Sequence, residues 1–159
     1  MQKSYPKLRL VAALVACLGV LSASAQIDKT IEVSQCKANK LTIEGQSLVS
    51  TGYGHLAFPD NDYTNYTGIN FEASNFEKLE ENATNVICSL NIEYTQDNET
   101  VKVSMGFYTT GKKKVQFNDF KDVKSGKVNI DPSSISKVSI GMGKNKKVDI
   151  NNIVLVAKK

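Results

Sequence analysis

Tryptophan is absent from these 159 residues, histidine occurs once, at His55, and arginine once, at Arg9. Each scarcity excludes something. Without Trp, any ligand that stacks on a ring has only Tyr or Phe to use. One histidine cannot build a His-rich zinc site, and no Cys/His spacing of the zinc type occurs. Arginine provides the bidentate grip on bases and phosphates, so its near absence argues against nucleic acid as a partner. The pI of 8.9 does not reverse this. Lys3, Lys7 and Arg9 fall in the first 25 residues, and residues 26–159 hold 17 lysines against 16 acidic residues. No apolar run long enough to span a membrane follows residue 25. The G-x-S-x-G pattern is missing, and His55 has no nucleophile pattern nearby, so no enzyme is expected.

What is present begins with a leader. Lys3, Lys7 and Arg9 precede an apolar stretch from Leu10 to Leu21, and Ala23-Ser24-Ala25 places small residues at −3 and −1 before Gln26. Residues 1–25 therefore read as a signal peptide, which implies a secreted or extracytoplasmic protein. A rival lies inside it: Leu14-Val15-Ala16-Cys17 resembles a lipobox and would anchor the chain at Cys17. The apolar run continues past Cys17, so cleavage after Ala25 is the expectation. Residues 26–159 then form one domain.

Removing the leader leaves Cys36 and Cys88. In an oxidising compartment a single pair allows one connectivity, and a Cys36–Cys88 disulfide is expected. The alternative is that both are small buried apolar residues, since Cys88 falls on the inward phase of a strand.

The dominant period is two. Val86, Cys88, Leu90, Ile92 and Tyr94 alternate with Ile87, Ser89, Asn91 and Glu93; Val101, Val103, Met105 and Phe107 alternate with polar or small neighbours. Gln96-Asp97-Asn98-Glu99 between them predicts an antiparallel hairpin. Further strands are predicted at 30–33, 41–44, 48–51, 67–73, 114–117, 127–130, 136–141 and 148–156. Only Asn75–Glu81, with Phe76 and Leu79 three apart, has a helical spacing. K-V-x-I recurs every ten residues at Lys127, Lys137 and Lys147, which reads as three successive antiparallel strands rather than a solenoid. Many short strands separated by polar turns define the class: all-β, a two-sheet antiparallel β-sandwich.

Charge is uneven along the chain. Residues 26–100 carry 4 lysines and 12 acids, and residues 101–159 carry 13 lysines and 4 acids. Lys112–Lys114 and Lys144–Lys147 are candidate contacts for an anionic partner, or charges that blunt strand edges. The opposed halves also suit a protein partner or a second copy. The richest candidate segment is Thr51–Tyr66. Its aromatics with Asp and Asn suit a sugar, with a pyranose face on a ring and hydroxyls on carboxylates and amides. The candidate ligand-binding residues are Tyr53, His55, Asp60, Asp62, Tyr63 and Tyr66. The alternative is that Tyr53 and Phe58 simply close one end of the sandwich. Asp60-Asn61-Asp62 also offers hard oxygens for calcium but lacks the glycine and distal Glu of an EF-hand loop.

The run TNVICSLNIEYTQDNETVKVSMGFYTTGKKKVQF and the closing ISKVSIGMGKNKKVDINNIVLV resemble the galactose-binding-like, jelly-roll carbohydrate-binding modules of secreted proteins. That resemblance implies a jelly-roll-like sandwich and non-catalytic binding of a glycan. It also implies a structural calcium between a first-strand carboxylate, here Glu32, and an acid of the last strand. Asn151 stands in place of that acid and Asp149 is out of phase, so no cofactor is expected.

Overall fold

A computed structural model of the chain describes residues 26–59, 62–82, 84–122 and 126–159. The leader, Cys17, Asp60 and Asn61 lie outside the described residues. The strands are β1 (Lys29–Ile31), β2 (Lys37–Asn39), β3 (Thr42–Glu44), β4 (Ser47–Ser50), β5 (Gly54–Ala57), β6 (Tyr66–Lys78), β7 (Cys88–Gln96), β8 (Glu99–Phe107), β9 (Gly111–Gln116), β10 (Lys121–Asp122), β11 (Gly126–Lys127), β12 (Ile135–Met142) and β13 (Lys146–Ala157). The first sheet runs β3-β4-β13-β6-β9, with β1 also on β13; the second runs β2-β5-β12-β7-β8. Every pairing is antiparallel. The chain crosses between the two sheets after β1, β2, β4, β5, β6, β8 and β12, and again between β9 and β12 by way of the β10–β11 ribbon, the winding of a jelly-roll-like β-sandwich. Among the described residues no helix is long and apolar enough to cross a membrane.

Alternation builds the core. Cys88, Leu90, Ile92 and Tyr94 of β7 face inward with Val103 and Phe107 of β8, while Met105, on the edge strand, is partly buried. The hairpin closes at Asp97-Asn98, both with positive φ (51° and 64°), as the tight primed turns of hairpins require. From the first sheet come Leu48, Ile69, Phe71, Val148, Ile150, Ile153 and Leu155. Phe71 and Phe76 of β6 both meet Phe107 edge to face, at 5.0 and 6.4 Å between centroids, and so join the two sheets.

Three expectations fail here. Asn75–Glu81 is not helical: β6 continues to Lys78 through a bulge at Asn75 (φ 50°). The extra residue shifts the inward phase from Ala73 to Phe76, so a three-residue spacing arises without a helix. Leu79, its other apolar member, is exposed. The K-V-x-I copies are not neighbouring strands either. Lys127 ends β11 in a two-stranded ribbon with β10, the second copy lies in β12 of the second sheet, and the third in β13 of the first. Cys36 and Cys88, finally, are buried thiols and not a bonded pair. Cys36 immediately precedes β2, and β5 and β12 lie between β2 and β7, a separation of about 14 Å at the usual strand spacing. That is beyond disulfide reach. The Cys36 thiol donates to the Glu32 carbonyl at 3.7 Å, and burial pushes the Cys88 thiol up to about 12.

Candidate functional site

The outer face of the second sheet is made from the residues that alternate with its core positions. Register places His55, Gly141, Ser89 and Gly106 in one row across β5, β12, β7 and β8, and Ala57, Ser139, Asn91 and Ser104 in the next. Nearly all of these side chains are small, so the floor is low. Gly141 leaves room for its neighbours: a Cβ there would stand 2.8 Å from both Asn91 Nδ2 and Ser89 Oγ and would push these side-chain ends aside. Asn91 is held in place, its Oδ1 accepting from Ser104 Oγ at 2.7 Å and its Nδ2 donating to the Ser89 carbonyl at 3.4 Å. An amide has two N–H donors, which leaves one directed elsewhere.

A cleft of about 470 Å³ opens on this floor, lined by Tyr53, His55, Ile87, Ser89, Asn91 and Gly141 among others. Tyr53 is 80% exposed and Ile87 56%. Burial, followed by the charge of Lys137, holds the His55 imidazole below its ordinary value, so it is neutral at pH 7 and both donates and accepts. Glu93, Lys102 and Lys137 bound the far end, with Glu93 Oε1 at 3.3 and 3.4 Å from the two ammonium groups. Desolvation opposes ionisation of Glu93, but hydrogen bonds and charge from the two lysines outweigh it and keep its carboxyl below the usual range.

A second cleft of about 460 Å³ lies at the adjoining end of the sandwich, lined by Phe76, Lys78, Asn85, Val86, Ile87 and Tyr108. Ile87 is common to both clefts. The segment carrying it is tied down by Lys146, at an inward position of β13. The Lys146 ammonium donates to the Thr84 carbonyl, to Thr84 Oγ1 at 3.2 Å and to the Asn85 carbonyl at 2.9 Å. Lys146 is only 4% exposed, and all three acceptors are neutral oxygens. Lys144–Lys147, read either as contacts for an anionic partner or as charges that blunt strand edges, divides: Lys146 is internal and Lys147 pairs with Glu77 at 3.4 Å. Lys112–Lys114 lie not in a turn but on β9, an edge of the first sheet.

The Thr51–Tyr66 segment divides around this site. It is not one loop, because β5 lies inside it and pairs with β2 and β12. Four strand residues carry the chain about 13 Å, from Tyr53 at one end of the sheet to Phe58 at the other. Tyr53 and His55 therefore enter the cleft. Tyr63 does not: it is fully buried and edge to face with Phe117, centroids 6.2 Å apart. Tyr66 is half-buried against the core, and Asp62 is exposed and accepts from the Thr64 amide at 2.9 Å. Asp60 lies outside the described residues. Ser89, Asn91, Ile87, Tyr108 and Gly141 were not anticipated as site residues. Their signal was available in the strand phase, since outward positions with small or amide side chains mark a face that does not cover itself.

The position at which the resemblance implies calcium is also defined. Glu32 and Asn151 line a cavity of about 140 Å³, and Asn151 Oδ1 is buried with no hydrogen-bond partner among the described residues. Glu32 is the one carboxylate lining that cavity, and the other oxygen-bearing side chains around it, Thr30, Ser34, Gln46, Asn151 and Asn152, are neutral. No group of three or more His, Cys, Asp or Glu side chains able to hold a metal occurs among the described residues.

Fold and clefts together define a β-sandwich with a solvent-facing groove on one sheet. Among solved structures, the chain is similar to the family 11 carbohydrate-binding module of the cellulosomal cellulase Lic26A-Cel5E of Clostridium thermocellum, with 17% identity over 83% of this chain and 87% of that one, at a TM-score of 0.49. It is also similar to a family 11 carbohydrate-binding module from Clostridium thermocellum in complex with a beta-1,3-1,4-mixed-linked tetrasaccharide, with 14% identity, 82% and 88% coverage and a TM-score of 0.48. Both likenesses concern the fold, at identities too low to carry residues across. No protein-family model and no curated protein matches the sequence.

Proposed function

We propose that this chain is a secreted domain that binds carbohydrate without acting on it, through the outer face of the second sheet. The observation that carries the reading is the exposed Tyr53 ring standing at a low floor of Gly141 and Ser89, beside His55 and Asn91. A pyranose has one apolar C–H face and a rim of hydroxyls. The ring supports the first, and a neutral imidazole, a hydroxyl and a fixed amide serve the second. A shallow cleft buries only part of a ligand, so affinity falls in the micromolar to millimolar range, on the order of −4 to −8 kcal/mol. No Asp or Glu side chain lines either cleft among the described residues, whereas glycoside hydrolysis needs two flanking carboxylates. A glycan array probed with the parent and with Tyr53→Ala tests the proposal. Binding by the parent that the variant loses supports it, and an array on which the parent binds nothing refutes it.

A further inference from the structure

The two clefts share Ile87 as a wall, and Lys78 is the one ionised side chain lining them among the described residues. Lys78, at the end of β6, lines the second cleft and has no carboxylate partner among the described residues. Behind Asn85, a lining residue of the same cleft, lies the Lys146 ammonium, buried against neutral oxygens. Lys144 is exposed and follows Gly143, which lines the first cleft. Glu77 is engaged with Lys147, Glu93 with Lys102 and Lys137, and Glu80 and Glu81 line neither cleft.

We propose that the joined clefts select an acidic saccharide, a sugar ring resting on Tyr53 or Tyr108 and its carboxylate meeting the Lys78 ammonium. This rests on the carbohydrate reading and adds the ligand's charge to it. A buried cation acts through a medium of low dielectric, so Lys146 contributes to the potential at Asn85 although no ligand touches it. One titratable group beside the clefts registers that field: the Cys88 thiol, raised by burial, is drawn back down by Lys146. A neutral sugar gains nothing from this arrangement, whereas a uronate gains a charge pair at the mouth and a favourable potential along the floor.

The test is a glycan array that pairs oligouronates with their carboxyl-reduced, neutral counterparts, followed by calorimetry on the best pair at low and high salt. The acidic member should bind about fivefold tighter at low salt, and the advantage should shrink as salt screens it. Lys78→Met, at an exposed strand end, should remove most of the advantage and leave the melting temperature unchanged. Equal or tighter binding of the neutral members overturns the inference and leaves the carbohydrate reading standing. Binding of neither overturns both. The salt dependence is read on the parent protein, so the result does not depend on how the variant folds.

Discussion

The outer faces of the two sheets obey the same alternation and end up opposite in character. On the first sheet the outward side chains are long or polar and bond to one another. Lys147 pairs with Glu77, Asn152 Nδ2 donates to Glu72 at 3.1 Å, and Asp149 accepts from Ser47 and from Asn75 Nδ2 at 2.6 Å. Most of that face satisfies itself, the buried Asn151 Oδ1 excepted. On the second sheet the outward positions at the centre of β5, β12, β7 and β8 carry Gly, Ser, Ala, one His and one Asn, with Lys37 and Asn39 beside them on the edge strand β2 and the charged cluster of Glu93, Lys102 and Lys137 at one end. Small side chains cannot cover their own floor, so clefts remain. The first sheet keeps a smaller cleft, about 300 Å³ and lined by Asn70, Glu72, Lys112, Lys114 and Asn152 among others, against about 470 Å³ on the second.

The largest effect that bears on this contrast comes from Tyr63 set against Tyr53. Both are tyrosines of one segment, one fully buried and one 80% exposed. Tyr63→Ala should destabilise the fold by about 3–5 kcal/mol, seen as a lower denaturation midpoint, while each folded molecule keeps its affinity for saccharide. Tyr53→Ala should do the reverse, leaving the midpoint in place and weakening binding by about tenfold, the scale of one lost stacking contact. If both variants moved the same observable, the division of the segment by β5 would be wrong.

Next in size is Gly141→Val. Its side chain would displace Ser89 and Asn91 from the floor, so binding measured by calorimetry should be lost while the sandwich still folds. The same substitution at an outward position of the first sheet, Ser74→Val, should leave binding unchanged. A smaller effect belongs to the self-satisfied face. Hydrogen bonds from Ser47 and Asn75 keep the Asp149 carboxyl below its ordinary value. A depressed carboxylate stabilises the folded state above its unfolded pKa, and that contribution fades as pH falls through the folded value. Asp149→Asn should thus cost about 1 kcal/mol at neutral pH and close to nothing in strong acid, by denaturation across that range. The smallest expectation is a covalent one. Non-reducing digestion and mass spectrometry should find no peptide pair linking Cys36 to Cys88.

Much of the sandwich was legible because alternation is a local signal. The β7–β8 hairpin and its inward residues follow directly from Val86–Phe107, and the length of β13 from Val148–Val156. Where the signal was interrupted, it misled. The bulge at Asn75 put inward Ala73 and Phe76 three residues apart, the exposed Leu79 happened to continue that helix-like spacing, and β5, only four residues long inside a Gly- and Asp-rich stretch, read as loop. The site was half legible for a related reason. Tyr53 and His55 stood out by residue type. Ser89, Asn91 and Gly141 stood at outward positions of predicted strands, but that they share one floor became visible only once β12 and β7 were seen side by side, because cross-strand register is not a local signal. Lys146 was hidden differently: among four residues with three lysines, nothing but strand phase marks the one that points inward.

The most direct test of the central claim, that the ligand lies on the outer face of the second sheet, is an amide NMR titration with the tightest-binding saccharide of the array. The account predicts shifts confined to Tyr53, His55, Ile87, Ser89, Asn91 and Gly141, with Lys147, Asp149 and Asn152 unmoved. Shifts centred on those last three residues, across the opposite sheet, would contradict it.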